Sequence, residues 1–187
     1  NQAMNYLVSG EVPTRLGTAH PNIVPYQSFA TRNGYLMLAV GTDRQFRACV
    51  SCLGAAALAD MPEYASNAQR VENRETLVSL LAERFLERDT ADWIAALRAV
   101  GVPAGPINDL AEVLTGHYAG ERELVRSLPH VTAGRVPTVA NPVTFAKTPV
   151  EYRRAPPVLG QDTLSVLRGD LGLTDEDINE LQRAGVI

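Results

Sequence analysis

The stretch that decides the fold is Ser28-Phe-Ala-Thr-Arg-Asn-Gly-Tyr-Leu-Met-Leu-Ala-Val40. It contains two β-prone runs, residues 28–31 and 35–40, separated by Arg32-Asn-Gly34. An Asn-Gly pair between two such runs favours a tight hairpin, because both central residues of the preferred turn need a positive φ. The sequence therefore predicts an antiparallel hairpin with Asn33 and Gly34 at positive φ.

Helical patterns follow the hairpin as far as Gly101. Asp43 and Thr90 are the predicted N-caps of two helices, and a longer helix between them covers residues 70–88. Apolar side chains recur at spacings of three or four residues, which places them on one buried face of each helix. The predicted buried residues are Phe46, Cys49, Val50, Leu53, Leu77, Leu81, Phe85, Trp93, Leu97 and Val100.

The second half of the chain is less regular. Asp109-x-x-Glu112 is a capping pattern that predicts a short helix. Residues 121–128 and 135–139 are strand candidates, and residues 141–160 are too rich in proline for regular structure.

Two short helices are predicted at the C-terminus. Leu164, Leu167 and Leu171 make one face of the first, which should end at Gly172. Thr174 and Asp177 form a capping pattern for the second. The chain is therefore predicted to be α+β: a small antiparallel sheet with several packed helices, then a proline-rich strap and C-terminal helices.

Composition excludes several functions. The formal net charge is −4, so no global field would attract nucleic acid or an anionic membrane. No apolar run is long enough to span a membrane. Cys49 and Cys52 are the only cysteines and fall in an apolar helical pattern, which predicts reduced thiols and a cytoplasmic protein.

Residues typical of catalysis are few. His20, His117 and His130 are far apart in sequence, and no spacing typical of metal ligands is present. The acidic run 175–177 fits the first turn of a helix, where carboxylates complement the helix dipole. No serine-hydrolase elbow or phosphate-binding loop is present. From the residues alone, no catalytic or metal-binding residue is indicated.

Several stretches, in this order, together resemble bacterial family III CoA-transferases of the CaiB/BaiF type. They are Ser9-Gly-Glu-Val-Pro-Thr-Arg-Leu-Gly-Thr-Ala-His-Pro-Asn-Ile-Val-Pro-Tyr-Gln-Ser-Phe-Ala-Thr-Arg-Asn-Gly34, Arg70-x-x-Asn-Arg74, Thr90-x-x-Trp93, Gly101-Val-Pro-Ala-Gly-Pro-Ile107, Asn141-Pro-Val-Thr-Phe-Ala-Lys-Thr-Pro149, Ala155-Pro-Pro-Val-Leu-Gly160 and the closing 171–187. Members of this family include formyl-CoA transferase, carnitine CoA-transferase and α-methylacyl-CoA racemase.

The resemblance implies a transferase that moves CoA from an acyl-CoA to a carboxylic acid, with the CoA thioester as substrate and no further cofactor. It also implies a larger N-terminal domain that carries the catalytic aspartate. The chain opens within a helical pattern at residues 2–8, so we expect it to be the C-terminal half of the enzyme and to be inactive alone. No catalytic residue is assigned within it.

The resemblance also implies a domain organisation. Residues 1–24 would leave the large domain, 25–128 form the small α+β domain, 129–160 the return linker, and 161–187 helices that pack on the large domain. The intact enzyme would be an interlocked homodimer.

In the formyl-CoA transferase branch, a glycine-rich loop closes over the active-site thioester. The matching positions here are His20, Pro21, Asn22 and Ile23, which are the predicted substrate-binding residues. Because the glycines are missing, this stretch departs from a flexible lid and argues against formyl-CoA as the substrate. His20 and Asn22 are expected to present polar groups toward an acyl chain.

Two alternatives remain open. The racemase branch of the family inverts an α-carbon by removing a proton, with an acid–base pair also expected upstream. A free-standing domain that binds a ligand or partner without catalysis is the third hypothesis.

Overall fold

The computed structural model describes residues 2–187. The chain divides into two compact units, unit 1 (Asn1–Asn108) and unit 2 (Asp109–Ile187). The α+β class is confirmed, because helices and small antiparallel sheets are both present. The predicted small domain runs past this division to residue 128, and the domain bounds given above stay a prediction.

The sheet of unit 1 has three antiparallel strands in the order β1 (Tyr26–Ala30), β2 (Tyr35–Ala39) and β3 (Ala104–Pro106). The hairpin is confirmed, but the predicted positive φ at Asn33 and Gly34 is wrong. Ala30 pairs with Tyr35, so four residues form the loop, and the Thr31 N–H donates to the Gly34 carbonyl at 2.9 Å. A four-residue loop turns the chain without left-handed residues.

Unit 1 also contains five α-helices: α1 (Gln2–Ser9), α2 (Asp43–Cys52), α3 (Asn67–Glu72), α4 (Arg74–Phe85) and α5 (Thr90–Ala99). Short 3₁₀ turns occupy Ala56–Ala59 and Pro62–Tyr64. The single helix predicted over residues 70–88 is interrupted at Asn73. Asn73 is the C-cap of α3: its backbone N–H donates to the Gln69 carbonyl at 2.9 Å, and its side-chain amide donates to the Gln69 and Glu63 carbonyls at 2.9 and 3.2 Å.

Two predicted N-caps each lie one residue after the observed N-cap. The N-cap of α2 is Thr42, whose hydroxyl accepts from the Gln45 N–H at 3.2 Å, which leaves Asp43 for an ion pair. The N-cap of α5 is Asp89, not Thr90, but its side chain makes no capping bond. The amide oxygen of Asn33 accepts from the Thr90 N–H at 2.9 Å instead, so the hairpin loop caps this helix.

The hydrophobic core of unit 1 lies between the sheet and α2, α4 and α5. Its members, each under 10% exposed, are Val24, Phe29, Leu36, Leu38, Val40, Phe46, Cys49, Val50, Leu53, Ala59, Tyr64, Leu77, Leu81, Phe85, Trp93, Ile94, Leu97 and Val102. The predicted burial of Val100 is wrong, since it is 48% exposed. Helix α5 ends at Ala99, and the chain then turns through Gly101 at φ +75° to bury Val102.

Unit 2 contains α6 (Leu110–Thr115), α7 (His117–Glu121), the hairpin of β4 (Val125–His130) and β5 (Gly134–Val139), α8 (Thr163–Gly169) and α9 (Asp175–Arg183). Both predicted capping boxes are confirmed, at Asp109–Glu112 and Thr174–Asp177. The first strand starts later than predicted because residues 117–121 are helical, and α8 ends at Gly169, before Gly172. Residues 140–162 contain no helix or strand, as expected.

Asn33→Ala is expected to lower the free energy of unfolding by about 0.5–2 kcal/mol, the usual effect of losing a helix cap. The Asn33 oxygen is the side-chain acceptor for the Thr90 N–H and also accepts from its hydroxyl at 3.1 Å. Urea denaturation of the two proteins measures the difference. Asn33→Asp is the matched control, since it keeps an acceptor oxygen; equal stability of wild type and Asn33→Ala would contradict the capping role.

Candidate functional site

The four predicted substrate-binding residues, His20–Ile23, lie in the irregular segment that leads into β1. Asn22 is exposed, and His20, Pro21 and Ile23 are half-buried. Residues 20–24 are called the entry segment below. No helix or strand includes them, so their conformation depends on what the surrounding side chains hold in place.

Arg74, the first residue of α4, holds the beginning of the entry segment. Its Nη2 donates to the His20 carbonyl at 3.0 Å and to the Pro21 carbonyl at 2.6 Å. Partial burial lowers the pKa of the Arg74 guanidinium from its ordinary value. One guanidinium therefore fixes two successive peptide groups.

Asn67 and Arg70, both on α3, hold the rest of the segment. The Asn67 amide donates to the Asn22 carbonyl at 2.8 Å and accepts from the Val24 N–H at 3.2 Å. The Arg70 Nε donates to the Val24 carbonyl at 2.8 Å. Four of the five carbonyls in the entry segment are thus bonded to side chains, which hold its backbone in one conformation.

The side chains of the entry segment are fixed as well. The His20 ring stacks on Tyr26, with the ring centroids 5.4 Å apart and the planes 20° from parallel. Its Nδ1 accepts from the Asn22 N–H at 3.1 Å. The Asn22 and Asn5 side chains exchange two hydrogen bonds, at 2.9 and 3.3 Å, which tie the segment to α1.

Two cavities of unit 1 border the entry segment. One, of about 490 Å³, lies between α1 and residues 11–21, and its polar lining includes Asn5, Ser9 and Glu11. The other, of about 470 Å³, is lined by Asn22, Asn67, Ala68, Val71 and Glu72, and shares Asn5 and Pro21 with the first. The amide pair of Asn5 and Asn22 therefore stands where the two cavities meet.

Among residues 2–187 no cluster of histidine, cysteine and carboxylate side chains is suited to a metal ion. His117 is near Glu121, and the acidic run 175–177 opens α9 as expected. Both cysteines are free thiols, and burial raises the pKa of the Cys49 thiol to about 12.

The carboxylates of most aspartates contact other groups of the chain. Within residues 2–187, ion pairs with arginine or helix caps involve Asp43, Asp60, Asp89, Asp109, Asp162, Asp175 and Asp177.

Sequence reasoning missed the three side chains that hold the entry segment. No sequence pattern singled out Asn67. Arg70 and Arg74 belong to a motif that resembles the family, but the motif alone did not indicate what they bind. The spacing of that motif was the available signal, because residues 70 and 74 lie four apart in the helix predicted over 70–88 and so fall on one face of it.

The chain is similar to several known proteins of one family. The sequence profile described as CoA-transferase family III matches residues 1–163. Succinyl-CoA:glutarate CoA-transferase from Homo sapiens is 37% identical over 99% of this chain and 42% of its own length. Succinate--glutarate CoA-transferase from Agrobacterium fabrum is 40% identical over 89% of this chain and 42% of its own length.

A solved structure of a protein from this family is also similar to the chain. A CAIB/BAIF family protein from Brucella suis is 37% identical, covers 91% of this chain with a TM-score of 0.78, and is covered over 43% of its length. The chain belongs to CoA-transferase family III. It spans less than half the length of the curated relatives it matches. Because those relatives include a human protein, a bacterial origin stays a prediction.

Proposed function

We propose that the chain forms the C-terminal part of an enzyme that transfers CoA from an acyl-CoA to a carboxylic acid. The observation that carries this proposal is the 37% identity over 99% of the chain to a relative named as a succinyl-CoA:glutarate CoA-transferase. Succinate and glutarate each have two carboxyl groups. We therefore propose dicarboxylic acids as the substrate class, with the CoA thioester as substrate and no further cofactor.

The entry segment is proposed as one wall of the acyl site. The resemblance matches His20, Pro21, Asn22 and Ile23 to the glycine-rich loop of the formyl-CoA transferase branch. The hydrogen bonds from Asn67, Arg70 and Arg74 support a wall in place of a mobile lid, since opening the segment would break four bonds to carbonyls.

The nucleophilic aspartate is proposed to lie in a part of the enzyme that precedes this chain. A carboxylate nucleophile divides the acyl exchange into two easier steps through a covalent intermediate. Two facts support this placement: the chain spans 42% of its relatives, and most of its aspartates are bound in ion pairs or caps.

The intact enzyme is proposed to be an interlocked homodimer in which unit 2 contacts other parts of the assembly. Many large apolar side chains of unit 2 are exposed, including Leu110, Tyr118, Val131, Val139, Leu159 and Leu171. These side chains are the apolar surface that such an interface would bury. No helix within residues 2–187 has the length and apolar character needed to cross a membrane. A cytoplasmic location remains a prediction from the free cysteines.

The proposal is tested with the full-length protein that contains this chain. Incubated with succinyl-CoA and glutarate, it is expected to form glutaryl-CoA and succinate, detected by mass spectrometry. The 187-residue chain alone is the matched control and should give only the buffer rate. Turnover by the chain alone would contradict the placement of the aspartate.

A second assay, of α-proton exchange, separates the alternatives. A racemase would exchange the α-proton of a branched acyl-CoA with deuterium from D₂O and transfer no CoA. A binding domain would do neither.

A further inference from the structure

Asn33, in the loop between β1 and β2, is the only asparagine of the chain that is followed by glycine. Its side chain is exposed to solvent. Within residues 2–187 the Gly34 N–H makes no hydrogen bond to a protein acceptor. Because glycine has no side chain, nothing on Gly34 itself obstructs a close approach of its nitrogen to the Asn33 side chain.

Two donors bind the carbonyl oxygen of the Asn33 side chain. The Thr90 N–H donates to Oδ1 at 2.9 Å, and the Thr90 hydroxyl donates to the same oxygen at 3.1 Å. The Thr31 and Thr90 hydroxyl oxygens lie 2.7 Å apart, so Thr31 donates to Thr90. Two donors on an oxygen that gains negative charge during a reaction are the arrangement of an oxyanion hole. Thr90 is also the first residue of α5, where the helix dipole favours negative charge.

We propose that Asn33 is a site of spontaneous deamidation, promoted by the two hydrogen bonds from Thr90. The Gly34 nitrogen bonds to Cγ of Asn33, and Oδ1 carries the negative charge of the intermediate. The Cγ–Nδ2 bond then breaks, and ammonia leaves with the proton of the Gly34 N–H. The cyclic imide that remains is opened by water at either carbonyl, which gives aspartate or isoaspartate at position 33.

The two products differ in what they do to α5. Aspartate keeps an oxygen that can accept from the Thr90 N–H. In isoaspartate the backbone runs through the former side chain and is longer by one carbon, which displaces that oxygen from the end of the helix. The isoaspartyl form is therefore expected to lose the bond that the loop makes to the first turn of α5.

A pair of substitutions at Thr90 separates promotion from simple restraint. Thr90→Val removes the hydroxyl donor but keeps the N–H and the branched shape, and Thr90→Ser keeps both donors. If the bonds only restrained the Asn33 side chain, Thr90→Val would free it and deamidation would become faster. Since a hydrogen bond to a charged oxygen is stronger than one to a neutral oxygen, Thr90→Val is expected instead to slow deamidation about 2- to 10-fold.

The experiment uses the full-length protein that contains this chain and its two Thr90 variants, each shown to be folded by urea denaturation. All are incubated in mildly alkaline buffer, and the tryptic peptide 33–44 is followed by mass spectrometry, with a zero-time sample as the reference. The peptide of the wild type and of Thr90→Ser is expected to gain the mass of an amide-to-acid conversion at similar rates. No mass gain in the wild type, or a rate in Thr90→Val that equals or exceeds the wild-type rate, would overturn the proposal.

Two further measurements use the wild type alone. In guanidinium chloride the Thr90 donors are lost, so the unfolded protein should deamidate at Asn33 more slowly than the folded one; faster reaction on unfolding would show that the fold protects this residue and would refute the promotion. Ion-exchange chromatography then separates the isoaspartyl form. Its Thr90 amide is expected to exchange hydrogen faster than in unmodified protein, and equal exchange would contradict the displacement of the capping oxygen.

Discussion

Arg70→Met is expected to lower the free energy of unfolding by about 2–6 kcal/mol, because each buried carbonyl left unbonded costs about 1–3 kcal/mol. Arg70 is 1% exposed and donates to the Val24 carbonyl at 2.8 Å, the Tyr64 carbonyl at 3.0 Å and the Asp43 carboxylate at 2.7 Å. Methionine fills part of the volume but leaves two carbonyls of buried residues unbonded. Urea denaturation, with the slope checked for a change in compactness, measures the loss.

The ion pair itself contributes little of this effect, since the Asp43 side chain is 55% exposed. The matched control is Arg47→Met on α2, which removes the exposed pair with Asp60 and should cost about 0–1 kcal/mol. If the two variants lose the same stability, the buried carbonyls are not what Arg70 stabilises.

Phe85→Ala is also expected to lower the free energy of unfolding, by about 3–5 kcal/mol. The Phe85 ring is fully buried, with its centroid 4.8 Å from that of Phe29 and 5.5 Å from that of Trp93. Truncation removes both aromatic contacts and leaves a cavity in the centre of the core. Trp93 is the only tryptophan in the chain, so its fluorescence follows the unfolding of unit 1 directly.

Leu86→Ala is the control for this experiment. Leu86 is the next residue along the chain and is 53% exposed, so its truncation should change stability by less than about 0.5 kcal/mol. A Phe85→Ala protein that unfolds at the same urea concentration as Leu86→Ala would show that the core collapses around the missing ring.

Local patterns predicted what depends on local contacts. The capping boxes at Asp109 and Thr174 require residues only three positions apart, and both formed as expected. The caps of α2 and α5 were misplaced by one residue because two neighbouring side chains qualify at each site. A distant partner decides between them: Arg70 binds Asp43, and Asn33 takes over the capping of α5.

The conformation of the candidate site depends even more on contacts between residues that are distant in sequence. A resemblance to a family pointed to His20–Ile23, but nothing in that stretch indicated how it is held. The bonds from Asn67 and Arg74 join residues 43 to 54 positions apart. Periodicity and propensity describe a window of a few turns, so contacts at this separation follow only from the folded chain.

The buried apolar residues are distributed unevenly between the two units, which limits how cooperatively the chain unfolds. Every member of the cluster lies between Val24 and Val102, whereas the buried apolar residues of unit 2 are Ala119, Ala140 and Ile178 within the part of the chain described. Burial of apolar surface is the main source of folding free energy, so the two units differ greatly in their intrinsic stability. Backbone amides of unit 2 should therefore exchange through local openings that leave unit 1 folded, and the fluorescence of Trp93 will not register those openings.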